Sequence, residues 1–565
     1  MRGDKLTDVP VSTFQSWMGS LTEKHNSPIV QAFIQPFAKP WVIVTDPFET
    51  QDILLRRGKE IDRSLLIRDM LGGLLPEQHM TFQSHDPRFK RNRNLINHLM
   101  TPSFIHRVSG PETYRGVNQL IQLWKAKCER AQGRPFRAIH DLSHSALDSI
   151  TAALIGLPVE ETIAWKRLQA VNQSSVPTKD DTDPSNANTP ITFPEGTIPS
   201  FLQSVITMTN SLMLTQISPL PKLTYKIAKM FPVLKNAIAT KEAYITSQID
   251  AALALLDDDE DDDEALPQSA IHSVVLRERE LALKEGRQPN YHSRAISDEF
   301  VGLLLAGHDT TAVAMAWGVK YLADHPAVQD RLRAELRAAM PAAFAERRAP
   351  TYEEIVALGQ TTHQQGEARS GGYLDAVIEE VLRKGNVIDF LLRETMLDTQ
   401  ILGRMVPKGT PVVFVANGPG YVKPGLEVDE SLRGPGARRD GGGKMLSGSW
   451  DDGDLGEFNP ERWLKVNPET GKEEFDPLAG PTLAFSLGPR GCYGKRLAMI
   501  ALRVHFVMIL WWFKLGRCPE ELSGYEGVQK FAREPRSCGT RYPGPHTICE
   551  LPFWATGTSH KNTYF

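Results

Sequence analysis

The stretch FSLGPRGCYGKR, from Phe485 to Arg496, sets one cysteine among three glycines and three basic residues. Cys492 has no second cysteine three residues away on either side, which removes a CxxC zinc corner or redox pair. Glycine marks places where the backbone bends sharply or is closely approached. Basic neighbours favour the thiolate, and the thiolate is the form of cysteine that bonds metal. What sits on that sulfur decides how the rest of the chain is read.

The chain has 565 residues, enough for several average domains or one large enzyme domain. Its 41% hydrophobic and 23% charged residues are an ordinary globular balance. A net charge of −4 argues against a general nucleic-acid binder, which carries a basic excess. The five cysteines are sparse and irregularly spaced, which speaks against a disulfide framework and for a reducing compartment. No long apolar run opens the chain. The most apolar later stretch, Ala498 to Phe513, is interrupted by Arg503 and His505, and is expected to be a buried core helix.

There is no internal repeat. Val42 to Thr45 predicts a strand and Asp46-Pro47 a turn that opens a helix. Long helical patterns dominate from about residue 85. Pro177 to Ser200 has loop composition, Asp257 to Glu264 is a solvated acidic run, and Arg433 to Ser449 is expected to be a surface insertion. Gly286 is a stop signal for the helix before it, Ser297 an expected N-cap for the next, and Leu332, Leu336 and Met340 share one face of the following one. Short strands among many long helices predict a mainly helical α+β fold with small β-sheets, in a single large domain spanning 1–565.

One helix is odd. In VGLLLAGHDTTAVAMAW, residues 301–317, an apolar run is broken by Gly307, His308, Asp309, Thr310 and Thr311. A helical glycine costs about 1 kcal/mol relative to alanine, and an acid in such surroundings is expensive unless hydrated or paired. The coincidence points to a functional kink. Gly307 would let a flat ligand approach the backbone, and Thr310 would hydrogen-bond a carbonyl of the preceding turn. Asp309 and Thr310 would form an acid–alcohol pair able to pass protons. His308 alone is more readily a structural histidine than a metal ligand. Glu380 and Arg383, three apart in EEVLR, and Arg462 in FNPERWL would in isolation be surface charges worth a few tenths of a kcal/mol.

Their order changes that reading. AGHDTT (306–311), EEVLR (379–383), FNPERW (458–463) and FSLGPRGCYGKRLA (485–498) occur in the sequence in which they occur in the cytochrome P-450 superfamily, and the chain resembles that family from about Phe14 to its end. Phe485, Gly488, Arg490, Cys492 and Gly494 match the family's F-x-x-G-x-R-x-C-x-G pattern; Trp463 stands where the family more generally has Phe. The style of the sequence is most similar to filamentous-fungal members.

The resemblance implies roles. Cys492 would be the axial thiolate ligand of haem iron, and Glu380, Arg383 and Arg462 a buried salt-bridge triad. Arg490, Arg93 (four residues after Phe89) and Arg393 would meet the two haem propionates, for which guanidinium forks are suited. Asp309 and Thr310 would deliver protons beside bound oxygen. The implied activity is a haem b monooxygenase that inserts one atom of O2 into a small, largely apolar substrate, with a place in fungal secondary metabolism. Electrons would come from NADPH through a separate flavoprotein reductase, docking in part on Lys495 and Arg496, since no flavin or nicotinamide segment is visible. Substrate would touch 71–82, 168–214, 304–311 and 386–390. No apolar anchor or proline-rich hinge precedes the first helix, so the expectation is a cytoplasmic protein, at most peripheral on the cytosolic face of the endoplasmic reticulum. The alternatives are a haem-thiolate isomerase or dehydratase, against which the intact Asp309-Thr310 pair speaks, and a haem sensor without turnover.

Overall fold

The computed structural model describes residues 14–34, 39–174, 188–216, 218–258, 269–358, 372–440, 443–444, 446–519, 524–529, 532–535 and 538–540. It is mainly helical, with one five-stranded sheet and several two-stranded ones. The helices that position the site are α1 (Pro47–Arg56), α2 (Pro87–Ile96), α3 (Gly110–Ala131), α4 (Ile139–Ile155), α5 (Arg294–Asp324), α6 (Gly372–Gly385) and α7 (Lys495–Trp512).

The larger sheet runs in the order Ile29–Ala32, Trp41–Val44, Pro411–Val415, Phe390–Thr395, Ile61–Arg63. Its one parallel pairing joins Trp41–Val44 to Pro411–Val415, and the others are antiparallel. Val42, Ile43 and Val44 are all buried, as β-branched residues on a covered sheet should be. Asp46 caps α1 by accepting a 2.7 Å hydrogen bond from the Glu49 amide, as the Asp-Pro signal predicts. The last pairing places Arg63 directly opposite Arg393, two guanidinium-bearing residues on adjacent strands.

α5 is the axis of the molecule. It packs along α4 and against α6 and α7, and Met315, Ala316, Trp317 and Val319 are fully buried with Phe506, Val507 and Met508 of α7. α7 is thus the core helix its composition predicts, and α5, although long and apolar enough to cross a membrane, is largely buried within the protein. Gly286 ends its helix in the left-handed conformation, and Leu332, Leu336 and Met340 are buried.

Two expectations are corrected. The N-cap of α5 is Ser293, whose hydroxyl accepts from the Ile296 amide, and Ser297 lies one turn inside. α5 is unbroken from Arg294 to Asp324, so the expected kink does not interrupt its ladder. The Arg433–Ser449 stretch exposes many of its described residues, as a surface insertion should, and is anchored beside α1: Arg433 is buried in a bidentate pair with Asp46 (2.8 and 3.1 Å), the Gly434 amide donates to Glu49, and Leu446 donates to Gln51. Most of the acidic run 257–264 and the first part of 177–200 lie outside the described residues.

Candidate active site

Residues 485–494 form a tight loop closed by the Cys492 amide, which donates to the Phe485 carbonyl at 2.7 Å. The Gly491 amide donates to Gly488 at 2.9 Å. Gly488 sits at φ +69°, and a Cβ there would lie 2.1 Å from the carbonyl oxygen of Leu54 at the end of α1. Only glycine satisfies both conditions. α7 starts immediately after Gly494, so the sulfur stands at a helix N-terminus. Burial pushes the Cys492 thiol up, while the Gly494 amide and the Lys495 charge pull it down. Cys492 counts as exposed by surface area yet is surrounded by protein, because the surface it exposes is the wall of a cavity.

That cavity has a volume of about 350 Å³, in the range of small-molecule sites. Cys492 and Phe485 line it from the loop, Ala306, Gly307, Thr310 and Thr311 from α5, Ile150 from α4, and Val387, Ile388 and Leu391 from the stretch leading into the sheet. Four guanidiniums also reach its wall: Arg63, Arg93, Arg393 and Arg490. Asp62 is the near carboxylate, 3.5 Å from Arg490. Burial, then the charges of Arg63 and Arg490, push Arg393 down to about 9; burial and Arg63 do the same to Arg490. Buried Nε and Nη1 of Arg490 and Nε of Arg63 have no hydrogen-bond partner. Unpaired buried guanidinium donors are costly, so this end of the cavity is built for an anion. A Cβ on Gly494 would meet nothing within 4 Å, which leaves the wall beside the sulfur open to a flat group. A porphyrin with two carboxylates and a thiolate-seeking iron fits this donor set.

Thr310 lines the cavity and donates from Oγ1 to the Ala306 carbonyl at 2.7 Å, as expected. Asp309, half-buried, is not on the wall, so the structure does not bring the two residues to the cavity together. Gly307 lines the cavity, and its missing Cβ would point at Ile150, 3.2 Å away on the same wall, so it also serves the close packing of α5 on α4. His308 is buried, its Nδ1 2.8 Å from the Leu304 carbonyl, and stays off the wall.

The triad is assembled. Glu380 Oε1 accepts from Arg383 Nη2 (2.7 Å), Arg462 Nε (3.2 Å) and the Asn459 amide (3.0 Å). Oε2 accepts from Arg383 Nε (2.8 Å) and from Trp463 Nε1 (3.0 Å). Trp463, fully buried, is therefore a hydrogen-bond donor to the triad rather than a mere replacement for Phe. Arg383 also holds the carbonyls of Tyr421, Leu455 and Glu457, tying α6 to the segment before the cysteine loop.

Nothing local in the sequence distinguishes Arg63; the strand register, which pairs it with Arg393, is what brings it to the site. Of the expected substrate ranges, 71–82, 304–311 and 386–390 contribute wall residues, whereas no described residue of 168–214 does. A second hollow of about 760 Å³ lies on the other face of α7, lined by Arg93, Lys495, Arg496, Met499 and Arg503.

The family model described as Cytochrome P450 matches residues 12–420 and 456–532, leaving out the region that holds Arg433–Ser449. Cytochrome P450 monooxygenase TRI13 of Fusarium sporotrichioides is 34% identical over 537 residues, covering 93% of this chain and 88% of its own. Cytochrome P450 monooxygenase xilC of Penicillium rubens is 32% identical, covering 92% and 86%. The cytochrome P450DA heme domain superposes with a TM-score of 0.65 at 16% identity over 95% of this chain and 94% of its own. A zebra fish cytochrome P450 solved with abiraterone gives 0.60 at 18% identity, covering 94% and 98%. At such identities the structural likeness speaks for the fold.

Proposed function

The chain belongs to the cytochrome P450 family of oxygen-incorporating haem-thiolate oxidoreductases, and from that membership we propose that it hydroxylates or otherwise oxygenates a small, largely apolar metabolite of a filamentous fungus. The observation that carries this reading is the sharing of one cavity by Cys492, Thr310 and four arginines. The fungal relatives, one of them described by the gene cluster it belongs to, support a place in secondary metabolism.

In this reading Cys492 ligates the iron. Arg93, Arg393 and Arg490, joined by Arg63, hold the propionates, and Phe485, Gly488 and Gly494 shape the loop around the sulfur. When bound, haem supplies the reductive activation of O2 and the transfer of one oxygen atom to carbon. Every other task falls to side chains. Ala306, Ile150, Val387 and Leu391 exclude bulk water and hold an apolar substrate. Thr310 gives its proton to the Ala306 carbonyl, so toward the cavity it offers lone pairs, and orients a proton donor there. Asp309, one residue behind it, feeds that donor from outside the wall. Glu380, Arg383, Arg462 and Trp463 keep the floor beneath the loop fixed.

Electrons arrive in this reading from NADPH through a separate reductase. The hollow with Lys495, Arg496 and Arg503 supports the proposed docking face, since basic side chains there suit an acidic partner. Peripheral attachment to a membrane is supported by a different surface. Leu220, Leu223, Ile227, Met230, Phe231 and Val233 are exposed together, flanked by exposed Lys222, Lys226, Lys229 and Lys235, with no acidic residue from 218 to 241. Apolar side chains among lysines suit the interface of an anionic bilayer.

The test is spectroscopic and then kinetic. The haem-supplied, reduced protein under CO should show the strongly red-shifted Soret band of thiolate ligation, and Cys492→Ala should lose it. Retention of the band in that variant would refute the ligand. Thr310→Ala should keep the band but divert NADPH electrons to peroxide; unchanged coupling to product would remove Thr310 from proton delivery.

A further inference from the structure

One buried histidine–carboxylate pair at the cavity wall has no task in the chemistry above. His79 lines the cavity, and its Nδ1 lies 2.7 Å from Oε2 of Glu299 on α5. Glu299 is fully buried and His79 nearly so. The Glu299 carboxylate also accepts the His79 amide at 2.6 Å and Gln78 Nε2 at 3.3 Å. One residue earlier on α5, Asp298 accepts the Glu77 amide at 2.9 Å. The segment is pressed so closely on α5 that a Cβ on Gly302 would sit 2.7 Å from Gln78. The imidazole is therefore held in one orientation, by its ring and by its own backbone.

An apolar wall has no need of a buried carboxylate and its partner, because taking a carboxylate out of water is costly. With Nδ1 committed to Glu299, Nε2 is the polar atom that His79 can offer a ligand. Its surroundings say which kind. The His79 ring makes an edge contact with Tyr493 (centroids 5.5 Å) and a tilted one with Phe89 (6.2 Å). Arg93 lies 4.7 Å over the Tyr493 ring and Arg490 4.1 Å over that of Phe89. Nε2 thus belongs to the guanidinium end of the cavity, where Arg490 Nη1 has no hydrogen-bond partner.

We propose that His79, braced by Glu299, is a further hydrogen-bonding contact for a carboxylate bound at the arginine end, and that this carboxylate is the cofactor's. Nδ1 stays on Glu299 while Nε2 meets the ligand carboxylate, so His79 bridges the two. It is a positioning residue for the cofactor and takes no part in the transfer of oxygen. The proposal rests on the haem reading of the preceding subsection.

The experiment uses the haem-loaded full chain and three variants. His79→Phe keeps the aromatic packing and removes the donor; His79→Gln restores a donor; Glu299→Gln removes the brace's charge. Haem transfer to excess apomyoglobin is timed, and the propionate-bending bands are read by resonance Raman. Each variant is also titrated with dodecanoic acid and with dodecanol, following the haem spectrum. A hydrogen bond to a charged group predicts that His79→Phe loses haem about tenfold faster or more. The Raman band should shift, His79→Gln should recover part of both effects, and Glu299→Gln should lie between. If the rate and the band stay unchanged while dodecanoic acid alone binds about tenfold more weakly, the carboxylate contacted is the substrate's and the cofactor assignment is overturned. If nothing changes in a wild-type protein with the thiolate spectrum, this proposal falls alone; a wild-type protein without that spectrum overturns both readings.

Discussion

Glu380→Gln tests what the buried triad contributes, and Trp463→Phe tests whether the indole belongs to it. Glutamine keeps the shape of glutamate but replaces one acceptor by a donor. Its oxygen would turn to the Oε1 position, where Arg383 Nη2, Arg462 Nε and the Asn459 amide converge. Its NH2 would then face Arg383 Nε and Trp463 Nε1, donor against donor. Arg383 is 2% exposed, so its charge loses its partner inside the protein, at about 3–5 kcal/mol. That is a large share of the about 5–15 kcal/mol that holds a typical protein folded. Trp463→Phe removes one hydrogen bond to a carboxylate, about 1.5–3 kcal/mol, and leaves Glu380 its other donors. In the double variant the indole N–H is no longer there to collide with the glutamine NH2. The two losses should therefore overlap by about 1.5–3 kcal/mol. The assay is the urea midpoint of the haem-loaded protein, followed by far-UV dichroism and by the Soret band, for all four members of the cycle. Losses that add to within about 0.5 kcal/mol would refute the coupling and leave Trp463 as packing only.

Gly488→Ala should cost more than any other single methyl in the cysteine loop. It adds about 1–2 kcal/mol for left-handed backbone and a clash with the Leu54 carbonyl, so purified protein should carry little haem and a weak thiolate band; normal haem content would show that the loop can relax away from α1. His505 predicts an acid limb. It is fully buried between Ser145 and the Ala501 carbonyl, and burial lowers it from 6.5 to about 4. Between those pH values the unfolded chain binds a proton that the folded one does not, so stability is present above pH 6.5 and lost as the pH falls toward 4, by about 3 kcal/mol in all. His505→Gln should flatten the fall of the unfolding midpoint across that window and leave the midpoint at pH 7.5 nearly unchanged; an equally steep acid limb would place the effect in His98 and His144, which burial lowers in the same way.

The parts of this molecule that the sequence makes legible are those fixed by local chemistry. Gly488 must be glycine because one residue has to take a positive φ beside a carbonyl, and that requirement is written at a single position. Asp46 before Pro47 announces α1 for the same reason, and the period of Leu332, Leu336 and Met340 announces a buried face. What stayed hidden depends on which distant segments meet. Arg63 becomes a cavity residue only because a three-residue strand pairs with Phe390–Thr395 in one register, and a shift by one would turn its side chain to the other face. Trp463 looks like a substitution until the chain folds its indole N–H onto a carboxylate in α6. His79 lies in a stretch with no motif, and Glu299 of α5 gives it its orientation from 220 residues away. Thr310 reaches the cavity wall and Asp309 does not, because successive residues on a helix point about 100° apart and the wall takes the Ala306, Gly307, Thr310 and Thr311 side of α5. The anion site follows from the same logic: no single arginine here is unusual, and the excess positive charge exists only where sheet, cysteine loop and α2 deliver their guanidiniums to one end of one cavity.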